Sequence, residues 1–108
     1  YSNEAKQSLL GVKADTLEQF GAVSEQTVTE MVQGVVANSG ASAGISVSGI
    51  AGPGGGSAEK PVGTVWFGFA VKGSLTTEKQ IFSGDRTAVR EQAIHFAINT
   101  LYQRLVAE

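Results

Sequence analysis

Three groups of residues have the types and spacing that chemistry requires. The first is the run Ser48-Gly49-Ile50-Ala51-Gly52-Pro53-Gly54-Gly55-Gly56-Ser57-Ala58-Glu59-Lys60-Pro61, in which five of fourteen residues are glycine. Glycine loses the most backbone freedom on folding, so a cluster of it belongs where positive φ or close approach of a ligand to the backbone is needed. Successive backbone N–H groups in such a loop form an anion-binding concavity, which makes Gly49, Gly52, Gly54 and Gly55 candidates for a phosphate cradle. A purely structural connection between two strands explains the same composition. The Gly-Lys-Ser/Thr ending of a nucleoside-triphosphate loop is missing, and the sequence continues into a strand pattern rather than a helix, which also excludes the dinucleotide fingerprint.

The second group is Tyr1 with Lys6. Lys6 falls in the opening of a helix pattern, where the positive end of the helix dipole disfavours the ammonium and lowers its pKa, as a general-base lysine requires. A solvated surface lysine is the plainer reading. The third group is Arg86, with Arg90 one turn on, just after Gly84-Asp85. A guanidinium beside free helix N–H groups suits a phosphate, while a simple pairing with Asp85 suits it equally. His95 is the only histidine and there are no cysteines, so no histidine-cluster or thiolate metal site is available, and no metal or other cofactor is expected.

The elements that must position these residues follow from the apolar pattern. Ser2 or Asn3 starts a short helix ending at Leu9-Leu10-Gly11, and Asp15-Thr16-Leu17-Glu18 has the form of a capping box opening a second, stopped by Gly21. Ser24 opens a longer helix in which Val28, Met31, Val32, Val35 and Val36 share one face, running to Asn38-Ser39-Gly40. Gly34 within it costs about 1 kcal/mol against alanine, and a close helix-to-sheet approach would account for it. Ala43 to Ser48 reads as a strand. Val62 to Val71, apolar on both faces and containing Trp66, reads as a central strand in the core. Lys72-Gly73-Ser74 turns the chain into an edge strand from Leu75 to Ser83. Asp85 then caps a terminal helix with the stripe Val89, Ala93, Phe96, Ala97, Leu101 and Leu105. This order predicts an α/β fold, a layered α/β/α sandwich with a mixed sheet, as one domain over residues 1–108. Tyr1 reads as the last residue of a strand whose earlier part lies upstream.

Composition narrows the function classes. With 108 residues, 42% hydrophobic and 17% charged, the chain is an ordinary folded domain, and a net charge of −2 argues against nucleic acid or an anionic membrane as partner. No run approaches membrane-span length. The absence of cysteine fits a reducing compartment, and a cytoplasmic location is expected.

Taken together, Tyr1-Ser2-Asn3-Glu4-Ala5-Lys6, Gly21-Ala22-Val23-Ser24-Glu25, Ser48 to Gly55, Lys60-Pro61-Val62-Gly63-Thr64-Val65 and Gly84-Asp85-Arg86 with Val89-Arg90 resemble the CinA C-terminal domain family, the nicotinamide-nucleotide amidohydrolases. The resemblance spans essentially the whole chain in order. It implies hydrolysis of the carboxamide of nicotinamide mononucleotide to nicotinic acid mononucleotide and ammonia, in pyridine-nucleotide salvage, by metal-free serine chemistry. It implies Lys6 as base, Tyr1 as a proton-relaying or orienting hydroxyl, Ser48 as a pocket residue at a position that holds Ser or Thr, and Arg86 with Arg90 to hold the substrate phosphate or close the pocket. A homodimer is a further expectation. Family members carry a Thr-Ala-Glu-Ser-Cys-Thr-Gly-Gly stretch before the position of Tyr1, where the nucleophilic serine is expected. Nothing here corresponds to it, so the expectation is a domain partial at its N-terminus that does not complete the reaction alone. The alternative is a mononucleotide-binding or partner-binding module without catalysis, linked to competence.

Overall fold

A computed structural model describes residues 3–50 and 60–106. Tyr1, Gly52, Gly54 and Gly55 lie outside the described residues. The element order is α1 (Asn3–Leu10), α2 (Ala14–Phe20), α3 (Glu25–Ser39), β1 (Ala43–Gly49), β2 (Thr64–Val71), β3 (Ser74–Ile81) and α4 (Arg86–Val106).

The three strands form one sheet in the order β1-β2-β3, so β2 is central. Its alternation puts Val65, Phe67 and Phe69 on one face, where they pack with Val89, Ala93 and Ala97 of α4 and with Phe82 and Phe96 at the margin. The other face, apart from Trp66 at its margin, is lined by small and polar residues. Ser46 Oγ donates to the Val28 carbonyl of α3 at 2.6 Å, and a Cβ on Gly68 would press on that same carbonyl. The helix backbone therefore lies directly on the sheet. Helices cover both faces, giving the α/β/α layering, with α1 and α2 packed outside α3. Leu10 and Val12 meet Met31 of α3 in a second, smaller apolar cluster. No helix among the described residues is long and apolar enough to cross a membrane.

Several local expectations change. Both pairings among the described strands are antiparallel; the mixed sheet expected from sequence includes the strand ending at Tyr1, which lies outside the described residues. A parallel neighbour needs a crossover connection, whereas β3 follows β2 after only Lys72 and Gly73. Val71 pairs with Ser74 across Lys72 (φ 52°) and Gly73 (φ 84°), the two positive-φ residues of a tight hairpin turn. β2 begins at Thr64 because Thr64 N–H and Oγ1 both bond to the Pro61 carbonyl, which uses Pro61 to Gly63 as a turn.

The capping box does not form. The N-cap of α2 is Lys13, without a side-chain cap, and Glu30 of α3 does the work from outside. Its Oε1 accepts from Lys13 N–H at 2.8 Å and its Oε2 from Thr16 Oγ1 at 2.6 Å. Gly34 serves a helix-to-helix approach instead of a helix-to-sheet one, since a Cβ there would collide with the Leu10 carbonyl of α1. Ser24 caps α3 as expected, accepting from Thr27 N–H at 3.2 Å, and Gly40 ends it in the left-handed region.

Candidate functional site

The chemistry-bearing residues hang from three places: α1, the turn between α2 and α3, and the end of β1 where the glycine loop departs. Lys6 sits in the middle of α1 and is only 6% exposed. Its pKa is lowered from the ordinary 10.5 by desolvation, because burial penalises the ammonium. The direction is the one expected from sequence, but the cause is burial and not the helix terminus. Burial follows from the way α1 is held. Gly34 lets it lie against α3, Val12 N–H returns to the Lys6 carbonyl at 3.0 Å, and Asn38 Nδ2 donates to the Leu9 carbonyl at 2.5 Å.

The α2–α3 turn is a dense hydrogen-bond node. Gly21 (φ 80°) leaves α2, and its carbonyl accepts from Ser24 Oγ at 3.0 Å and Thr27 Oγ1 at 2.7 Å. Its neighbours reach the glycine-loop flanks on both sides. Ser48 Oγ donates to the Ala22 carbonyl at 2.8 Å, and Lys60 Nζ donates to the Phe20 carbonyl at 2.6 Å. The residues that precede and follow the loop are thus clamped to one turn. The strands close up to the loop as well, through Ile50 N–H to the Thr64 carbonyl at 2.9 Å and Gly63 N–H to the Ile50 carbonyl at 2.6 Å.

Beside this clamp lies an open cavity of about 270 Å³, with Lys60, Ser24, Gln26, Trp66 and Lys79 in its wall. Trp66 was expected in the core, yet it is half-buried, with Lys79 Nζ 5.8 Å from its ring centroid. Even-numbered positions of β2 face α3, and at the strand's start that face meets the capped end of the helix rather than its apolar stripe. Lys60 was read from sequence only as a flank of the glycine run and not as a site residue, and Lys79 was not singled out. The Lys-Pro step after the glycines was the available signal for Lys60, while nothing in a polar edge strand distinguishes Lys79.

The remaining candidates separate. Gly49 ends β1, where a Cβ would sit 2.8 Å from Val65 Cγ2, so close strand packing already requires glycine there. Arg86 opens α4 and is exposed, next to Asp85, whose Oδ1 accepts from Ala88 N–H at 2.9 Å. Arg90 lines a groove with Ile45 and Val47 on the α4 side of the sheet, whereas Ser48 Oγ points to the α3 side. Among the described residues no cluster of three or more His, Asp or Glu side chains is placed to hold a metal ion.

The described residues form a layered α/β domain in which Ser48 and Lys60, on either side of the glycine run, are tied to the α2–α3 turn, with a desolvated lysine on a separate short helix. Residues 1–105 match the family model described as the CinA C-terminal domain, and the chain belongs to that family. It is 63% identical over 107 residues to the nicotinamide-nucleotide amidohydrolase PncC of Enterobacter agglomerans, covering 98% of this chain and 65% of that protein. A protein of the same name from Escherichia coli K12 is 54% identical over the same length and coverage. The crystal structure of a competence-damaged protein (CinA) superfamily member from Klebsiella pneumoniae superposes with a TM-score of 0.93 at 42% identity, covering all of this chain and 68% of that one. The chain thus spans about 65% of the length of the PncC relatives it matches.

Proposed function

We propose that this chain is the lysine-bearing part of a nicotinamide-nucleotide amidohydrolase, which converts nicotinamide mononucleotide and water into nicotinic acid mononucleotide and ammonia. The observation that carries the reading is Lys6, a lysine withdrawn from water on a short helix, in a chain so similar to proteins named for that reaction. Desolvation favours the neutral amine, the form that can take a proton.

The steps then balance as an acyl transfer. Lys6 Nζ accepts the hydroxyl proton of a serine as its oxygen attacks the carboxamide carbon. The C–N bond breaks, and the lysine ammonium returns the proton to the departing amine, which leaves as ammonia. Water, deprotonated by the same amine, then attacks the acyl carbon and restores the serine. The serine is the one expected in the Thr-Ala-Glu-Ser-Cys-Thr-Gly-Gly stretch. Tyr1 is assigned to relay or orient, Ser48 and the glycines to the pocket wall, and Arg86 and Arg90 to the phosphate. The clamp of Ser48 and Lys60 onto the α2–α3 turn supports a preorganised wall, because each flank is tied to a backbone carbonyl.

The test is ammonia release from nicotinamide mononucleotide by this chain and by a version extended upstream through that stretch. The expected result is release by the extended version only. Replacing Lys6 by Met in the extended version should abolish release while largely sparing nucleotide binding measured by calorimetry. Retained turnover in that variant would remove Lys6 from the role of base. Binding without release by the unsubstituted extended version would replace the enzyme with a mononucleotide-binding module.

A further inference from the structure

One strand pair sets two unlike side chains on the α3 side of the sheet. Trp66 of β2 and Lys79 of β3 are cross-strand partners, so both stand on that face, and Lys79 Nζ lies 5.8 Å from the indole centroid, within cation–π range. Thr77 shares the face and donates from Oγ1 to Glu25 Oε2 at 2.6 Å, which ties β3 to the first turn of α3. Lys60 Nζ, donating to the Phe20 carbonyl at 2.6 Å, ties the flank of the glycine run to the end of α2.

The cavity of about 270 Å³ gathers these residues, with two aromatic rings, Phe20 and Trp66, and two ammonium groups, Lys60 and Lys79, in one wall. Phe20 is 42% exposed, and Trp66 is half-buried in the same wall. Glu25 is the one carboxylate there, and Thr77 engages it. Among the described residues Lys79 has no carboxylate partner. The concavity is therefore positive, and a positive cleft with low-dielectric walls concentrates anions. Contacts within the chain hold its shape: Lys60 on Phe20, Thr77 on Glu25 and Lys79 over Trp66.

We propose that this cavity binds a nucleoside monophosphate with an uncharged base, its ring against Trp66 and Phe20 and its phosphate on Lys79 and Lys60. The volume lies just under the range of about 300–1,000 Å³ of drug-sized ligand pockets, which suits a mononucleotide and not a dinucleotide. The charge of the base decides among ligands of that size. A neutral base stacks on an aromatic ring through its π-face. A pyridinium, such as the ring of nicotinamide mononucleotide, brings a positive charge to an indole that Lys79 already approaches, and like charges repel. The inference thus does not rest on the amidohydrolase reading, and neither Lys6 nor Ser48 is in this wall.

The test is titration with adenosine monophosphate of this chain and of the version extended upstream. Binding is read by the emission of Trp66, the only tryptophan, and by calorimetry. Both proteins should bind saturably, with adenosine, inorganic phosphate and nicotinamide mononucleotide each at least tenfold weaker. Lys79→Gln and Phe20→Leu are chosen to fold because both side chains are exposed, which circular dichroism verifies. Each should raise the dissociation constant at least tenfold. Absence of saturable binding overturns the proposal. Adenosine or phosphate alone binding as tightly does so too, since ring and charge would not be read together. Equal affinity for nicotinamide mononucleotide overturns it because Lys79 would not exclude a cationic ring. Binding that neither variant weakens would lie elsewhere, and binding by this chain that the extended version lacks would mean that the longer protein fills the cavity itself; either result overturns it.

Discussion

Lys6 concentrates what a single residue shows here. Folding moves Lys6 out of bulk water, and the resulting fall in pKa is a statement about stability as well as reactivity. The sign follows from proton counting. Between the folded-state pKa and the ordinary 10.5, the unfolded chain holds a proton on Lys6 that the folded chain does not, so stability rises with pH across that window. Below the folded-state pKa the cost of burying the charge is present in full, and above 10.5 it is gone. Replacing Lys6 by Met removes this dependence. The stability of the parent measured against Lys6→Met by urea titration should therefore increase steadily through that window, and a flat difference would mean that burial does not depress this amine. Under the proposed mechanism the same titration sets the alkaline rise of ammonia release, since only the neutral amine accepts a proton.

At the scale of elements, the helices are placed by contacts that sequence patterns do not encode. Gly34 illustrates this. In the sequence it is a weak spot in a helix, and alanine would be preferred by about 1 kcal/mol. In the fold its missing side chain is the seat of α1, because the Leu10 carbonyl occupies the space of a Cβ. Gly34→Ala should thus destabilise the protein by roughly 2–3 kcal/mol despite the better propensity, read as a lower urea midpoint. A neutral or stabilising effect would show that α1 can move off α3 freely. The clamp of Lys6 in its buried position depends on the same seat. What could be read in advance was whatever depends on neighbours in the chain: the Ser24 cap, the Gly40 stop, the Lys72-Gly73 turn and the doubly apolar β2. What could not was decided by residues distant in sequence. Glu30 took over the cap that Asp15 was expected to supply, and Trp66 was left half-buried where α3 begins. The candidate residues show the same division. Ser48 and Lys60 were legible as flanks of a glycine loop, but their shared anchor on the Phe20–Ala22 carbonyls was not.

At the scale of the whole molecule, one strand belongs to both halves. β2 gives Phe67 and Phe69 to the α4 face and Gly68, with half-buried Trp66, to the α3 face. The two faces differ in kind. On the α4 side Phe67 is fully buried, with ring centroids 4.8 Å from Phe96 and 6.3 Å from Phe69 and Phe82. On the α3 side contact runs through glycine, serine and a helix carbonyl. Phe67→Leu removes three carbons but keeps an apolar side chain in the cluster, so it should lower stability by about 1–2 kcal/mol without abolishing the fold. The informative measurement is where that loss appears. Trp66 is the only tryptophan, and it reports from the cavity beside α3, across the sheet from the substitution. If β2 couples the faces, Trp66 fluorescence and far-ultraviolet circular dichroism will move by the same amount to a common lower midpoint, as a single cooperative unit requires. A Trp66 transition that stays at the parent's midpoint while the dichroism shifts would mean that α3 with its turn and cavity unfolds separately from α4. The loop anchors on Phe20 and Ala22 would then persist without the aromatic core beneath them.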